Sequence, residues 1–171
     1  MAMSRDEITV DIIDRFQREY PVDIYGMAQA LKIRVVEQDL PDTISGKIEH
    51  WWRGDFMITV NSRHSRTRKR FTIAHEIAHY VLHRDLIGED GITDNALYRD
   101  NRIGDIRERQ ANRYAATLLM PKSLVRRAWN EGVNDHQAMA QAFDVSPAVA
   151  EIRLRELGSV FWSRPQDTLL F

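Results

Sequence analysis

His75, Glu76 and His79 stand in the run His75-Glu76-Ile77-Ala78-His79, and these residue types at this spacing can do chemistry together. Successive residues of an α-helix turn by about 100° and rise by about 1.5 Å, so His75 and His79 share a face one turn apart. Two imidazoles so placed can grip one metal ion from the same side. Glu76 falls on the flank of that face, within reach of a water on the ion but poorly placed to be a ligand itself. Such an ion is a Lewis acid and lowers the pKa of a water it holds from about 16 to about 7. Glu76 can take that proton and return it to a leaving amine, which together amount to hydrolysis of a peptide bond. The competing explanation is an ordinary pair of histidines beside a solvated glutamate; the motif's place inside an amphipathic helical stretch favours the metal.

A catalytic zinc ion takes three protein ligands and leaves one position open. His83 follows one turn after His79. On one straight helix, however, residues 75 and 83 lie about 12 Å apart along the axis, too far for two bonds of about 2 Å to one ion. His83 is therefore expected as a helix cap or as a hydrogen-bond partner of a ligand. Glu108 is the better third ligand, because Ala111, Ala115 and Leu118 share its helical face and small alanines allow a close approach of two helices. Asn112, a turn later, could hydrogen-bond a ligand histidine from behind. The rival reading makes Asp105 an N-cap and Glu108 its N3 partner. The residues alone leave these two readings open.

These side chains need elements to carry them. Ser4 to Tyr20 reads as an amphipathic helix, with Ile8, Ile12, Ile13 and Phe16 inward and a Ser4–Glu7 capping box, stopped by Pro21. A short helix follows from Ile24 to Leu31, with Met27, Ala28 and Leu31 inward. The period then shortens: 33–37, 44–52 and 56–60 are strand-like, with Arg53-Gly54-Asp55 as a hairpin turn, which predicts a small, mostly antiparallel sheet. Helical period returns over 65–83, its buried face expected at Phe71, Ala74, Ile77, Ala78, Val81 and Leu82. Residues 85–104 read mostly as loop, 105–120 as a helix ended by Pro121, and 121–158 as two or three short helices before an extended tail from Val160. The fold class is thus α+β, organised as a catalytic unit over 1–120 and a small helical subdomain with tail over 121–171.

Composition narrows the function. The chain has 171 residues, 43% of them hydrophobic and 29% charged, enough for a core without a structural metal or disulfide. A net charge of −1 offers no global attraction to nucleic acid or anionic membrane. The absence of cysteine removes thiolate zinc sites and cysteine nucleophiles. The early charges at Arg5, Asp6 and Glu7 do not suit a signal peptide, and no apolar run approaches the roughly 20 residues of a membrane span, so a cytoplasmic protein is expected.

Two blocks of the sequence carry a likeness. Arg70-Phe71-Thr72-Ile73-Ala74-His75-Glu76-Ile77-Ala78-His79-Tyr80-Val81-Leu82-His83 and Glu108-x-x-Ala111-Asn112-x-Tyr114-Ala115-x-x-Leu118-Leu119-Met120-Pro121 together resemble the signatures of the ImmA/IrrE zinc metallopeptidases. Ile44-Ser45-Gly46 and Ile58-Thr59-Val60-Asn61 match that family's upstream strands, and the likeness extends over about residues 20 to 157. Tyr114 stands where Phe is usual and Gln110 where Glu is common, which removes a carboxylate that would compete with Glu108. The resemblance implies a gluzincin-like arrangement in the short, ImmA-like form. It implies His75, His79 and Glu108 as zinc ligands and Glu76 as the catalytic base, with Asn112 and His83 behind the ligands. It also implies a protein substrate, a helix-turn-helix repressor often encoded beside the peptidase in mobile elements or stress-response operons. Manganese or iron would suit the same donors. The competing function, from another class, is an antitoxin- or regulator-like module that sequesters its partner without cutting it.

Other features have plainer explanations. Arg63, Arg66, Arg68, Lys69 and Arg70 crowd the start of the motif helix and oppose its dipole, so acidic neighbours are expected to offset them. Residues 138–150 resemble a helix-turn-helix, but the second helix would offer Pro147, Ala148, Val149 and Ala150 rather than base-reading side chains, so direct nucleic-acid binding is not expected. Trp51 and Trp52 could line a substrate path at the hairpin. His50, His64 and Tyr98 are candidates to steady an oxyanion, and no spacing selects among them.

Overall fold

The computed structural model describes residues 4–87, 92–95 and 102–162. Helix α1 (Arg5–Phe16) opens with the expected capping box: the Glu7 amide donates to the Ser4 hydroxyl at 3.2 Å and the Ser4 amide to the Glu7 carboxylate at 2.7 Å. It ends four residues earlier than the sequence suggests, and it buries Ile12 and Ile13 but leaves Ile8 exposed. Helix α2 (Ile24–Ala30) starts under Asp23, whose carboxylate accepts from the Gly26 amide.

Strands β1 (Ile33–Gln38), β2 (Ile44–His50), β3 (Phe56–Asn61) and β4 (Ile92–Asn95) form one sheet in the order β1-β3-β2-β4. The β2–β3 and β2–β4 pairs are antiparallel, as expected of most of the sheet, whereas β1 runs parallel to β3 and makes the sheet mixed. The cause lies at Asn61, fully buried at the end of β3. Its side-chain amide donates to the carbonyls of Leu40, Pro41 and Ile44, gathering the β1–β2 connection over the end of β3. β3 therefore slots between the strands that precede it. The Arg53-Gly54-Asp55 turn forms as expected, with Gly54 at φ 88, a conformation that glycine adopts without strain. Strand β4 lies in a stretch read from sequence mostly as loop; four residues, three of them polar, are too short to show a period.

Helix α3 (Arg66–Leu82) packs on β2, β3, α2 and helix α4 (Arg102–Leu119). Surrounded in this way, it buries every residue from Thr72 to Tyr80 rather than one stripe. Leu82, expected inward, is 43% exposed and lines an open pocket with Arg113 and Thr117 of α4. Helices α5 (Lys122–Asn130), α6 (His136–Phe143) and α7 (Pro147–Trp162) follow. The last is interrupted at Gly158, with φ 23 and ψ −125, and continues to residue 162, where the sequence suggested an extended tail; residues 163–171 lie outside the described part. These helices share the main core: Val125, Met139 and Phe143 belong to the same buried apolar cluster as Met27, Ile58 and Ile77. Buried Arg153 fastens α7 to the end of α4 by donating to the Met120 carbonyl at 3.0 Å. Among the described residues, no helix is long and apolar enough to cross a membrane.

Candidate metal centre

The facing sides of α3 and α4 bring three donors together. His75 Nε2 and His79 Nε2 are 3.0 Å apart; Glu108 Oε2 lies 3.2 Å from the first and Glu108 Oε1 3.2 Å from the second. Among the described residues these three form a group able to hold a metal ion. The edge of a tetrahedron with bonds of about 2.0 Å is about 3.3 Å, so the donors are spaced as three ligands of one zinc-sized ion would be. Ala74 and Ala78 on α3 and Ala111 and Ala115 on α4 are fully buried, and their small side chains permit the close approach. Helix α4 begins at Arg102, so Asp105 stands inside it rather than at its cap, and Glu108 turns toward the histidines.

Each imidazole is held from behind. His75 Nδ1 donates to Asn112 Oδ1 at 3.0 Å, which leaves its Nε2 lone pair facing Glu108. His79 Nδ1 meets His83 Nδ1 at 3.1 Å, and His83 Nε2 meets Gln110 Oε1 at 3.1 Å. His83 is thus both the C-cap of α3, through its backbone amide, and a partner of His79 through its ring. Burial pushes the His79 pKa down, against the opposing pull of Glu108. With protons rather than a metal ion among the donors, burial raises the Glu108 pKa, but hydrogen bonds from protonated His75 and His79 outweigh it and hold the carboxyl well below the usual carboxylate range. Lone pairs of two imidazoles and a carboxylate gathered this closely require a cation between them, as protons or as a metal ion. The donor set fits a divalent metal.

Glu76 is fully buried on the adjoining side of α3, under β2. Gly46 makes room there. A Cβ on Gly46 would sit 2.5 Å from Thr72 Cγ2, 2.8 Å from the Thr59 carbonyl oxygen and 3.7 Å from Glu76 Oε1. Only glycine fits this strand between Thr72 and the Thr59 carbonyl, and the Glu76 carboxylate lies just beyond them at ordinary contact distance. Sequence reasoning met Gly46 merely as part of a strand, and met Gln110 merely as a missing carboxylate. No local signal marks either, since each acts across a tertiary contact.

The remaining candidates lie elsewhere. His64 lies in the turn before Ser65, the N-cap of α3, about three helical turns ahead of His75 in sequence. His50 is exposed at the end of β2 and packs on the Phe56 ring at 4.5 Å. Tyr98 lies outside the described residues. Trp51 and Trp52 are both exposed, with the Arg34 guanidinium over the Trp51 ring at 5.6 Å. At the start of α7, Ala148, Val149 and Ile152 line an open cavity of about 730 Å³ with Phe71, Ile106 and Ala116. The cations at the head of α3 find partners, as their chemistry demanded. Arg63 pairs with Asp39 and Asp42, Lys69 with Glu37, and Arg66 and Arg70 with Asp144, while Arg68 donates to the Ser45 hydroxyl.

Residues 28–155 match the family model of the IrrE N-terminal-like domain. Metallopeptidase ImmA of Bacillus subtilis (strain 168) is 26% identical over 140 residues, which span 80% of this chain and 78% of that protein. The radiation response metalloproteases IrrE of Deinococcus deserti and Deinococcus radiodurans are 37% and 34% identical over 71 residues. Those stretches cover 40% of this chain but only 24% and 20% of the two Deinococcus proteins. Among solved structures, a Mycobacterium tuberculosis transcriptional regulator superposes with a TM-score of 0.61 at 23% identity, over 95% of this chain and 48% of its own, a likeness of fold.

Proposed function

The chain belongs to the ImmA/IrrE family of metallopeptidases, and we propose that it is a zinc-dependent endopeptidase that cleaves a helix-turn-helix repressor. The observation that carries this reading is the convergence of His75 Nε2, His79 Nε2 and the Glu108 carboxylate at 3.0 and 3.2 Å, with Glu76 on the next face of the same helix turn. His75, His79 and Glu108 hold the metal. When bound, zinc supplies a Lewis acid that polarises the scissile carbonyl and acidifies water to a pKa of about 7. Glu76 takes the proton of the attacking water and passes it to the leaving amine. Glu76 is fully buried, beside Gly46 of the covering strand. The repressor as substrate rests on the resemblance carried by the two signature blocks, and the protein encoded beside this one is the first to try.

The test combines metal analysis with a cleavage time course on that neighbouring repressor. The wild type should carry zinc and release new fragments, His79→Ala should lose the metal, and Glu76→Gln should keep it while cleavage falls about 10²–10⁴-fold. Cleavage by Glu76→Gln at the wild-type rate would overturn the mechanism. Loss of repressor DNA binding without fragments would replace the peptidase with a sequestering module.

A further inference from the structure

The three hydrogen bonds behind the donors fit together in one pattern of protons when both His79 and His83 are neutral. Gln110 Oε1 is a pure acceptor, so the 3.1 Å contact with His83 requires the proton on His83 Nε2. A neutral His83 then has a bare Nδ1, which can only accept. The 3.1 Å contact between the two Nδ1 atoms therefore places the proton on His79 Nδ1 and leaves His79 Nε2 bare toward His75 and Glu108. Resting on the metal-site reading above, we propose that Gln110 is a positioning residue: through His83 it locks His79 in the tautomer that presents Nε2 to the metal.

The arrangement suits this task. His79 is 1% exposed and His83 8%, so the bond between their rings is shielded from water, whereas Gln110 stands exposed on α4 and closes the chain at the surface. His83 cannot reach the metal from the same helix as His75, as the axial rise shows. Its ring instead spans from α3 to α4, converting an amide on one helix into an orientation of the ligand on the other. His75 has the shorter version of the same device, a direct bond to the neutral Asn112 amide. Both ligand histidines are thus held by chains ending in neutral amides of α4.

Two measurements test this. In ¹⁵N NMR of the zinc-loaded, full-length protein, His83 should carry its proton on Nε2 with Nδ1 bare. A proton on His83 Nδ1 in the wild type overturns the proposal, whatever the variants do. In chelator competition for zinc, Gln110→Leu should weaken affinity by about 10–100-fold, the range for a lost partner behind a metal ligand. Gln110→Glu, which keeps an acceptor oxygen, should stay within a few-fold of wild type. Equal affinities for Gln110→Leu and wild type, or equal losses for the Leu and Glu variants, would also overturn it. If the wild type binds no zinc, the metallopeptidase reading fails; the His83 proton position in the metal-free protein still decides the relay.

Discussion

The two polar regions of α3 solve opposite problems. At its head, five cations find partners within the chain: Asp39, Asp42, Glu37 and Asp144 pair with four of them, and the fifth, Arg68, donates to the Ser45 hydroxyl. Buried Arg70 is the extreme case, donating also to the carbonyls of Val22 and Asp144 at 2.8 and 2.9 Å. Two turns later the same helix does the reverse. Its imidazoles point their acceptor nitrogens at each other and at a carboxylate, an arrangement that stays costly until something positive arrives. A polar cluster that pairs donors with acceptors is holding the fold together. One that points acceptors at acceptors is built for a ligand.

Substitutions can break this contrast, and the head of the helix should show the largest loss of stability. Arg70→Met leaves Asp144 with one exposed partner and deprives the buried Val22 carbonyl and the half-buried Asp144 carbonyl of their donor. Denaturant unfolding of the metal-free protein should show a loss of about 3–5 kcal/mol, the cost of removing one member of a buried pair. Gly46→Val comes next. Its branched side chain meets a strand backbone that cannot retreat, so overpacking of about 1–3 kcal/mol is expected by the same measurement, with a further loss of peptidase rate as Glu76 is displaced. The smallest effect belongs to Arg63→Ala. Its ion pairs with Asp39 and Asp42 are solvent-exposed, so stability should fall by less than about 1 kcal/mol, and zinc affinity should not change. A large zinc effect from Arg63→Ala would mean the two regions are coupled and the contrast is false.

Much of the site was legible in the sequence because its first elements are local. Helical geometry alone places His75 and His79 one above the other and excludes His83 from the same ion. Helix boundaries followed from Ser4, Ser65 and Pro121 to within a few residues. The sheet was less legible. That β3 would slide between β1 and β2 depends on Asn61 collecting carbonyls from 17 to 21 residues away, and β4 was too short to announce itself. The capping alternative for Glu108 was equally good on paper, and it lapsed only when α4 began three residues before Asp105.

What the sequence determined by itself is therefore the motif, the helices that carry it and, through resemblance, the family. Periodicity and capping act over one or two turns, so they can be read one segment at a time. Only the tertiary structure decided that Glu108 closes on the two histidines, that Gly46 lets a strand cover Glu76, and that Gln110 reaches His79 by way of His83. Each of these joins residues on different elements. Side-chain contacts of 3 to 4 Å depend on how closely two elements pack, and that distance is a property of the whole core.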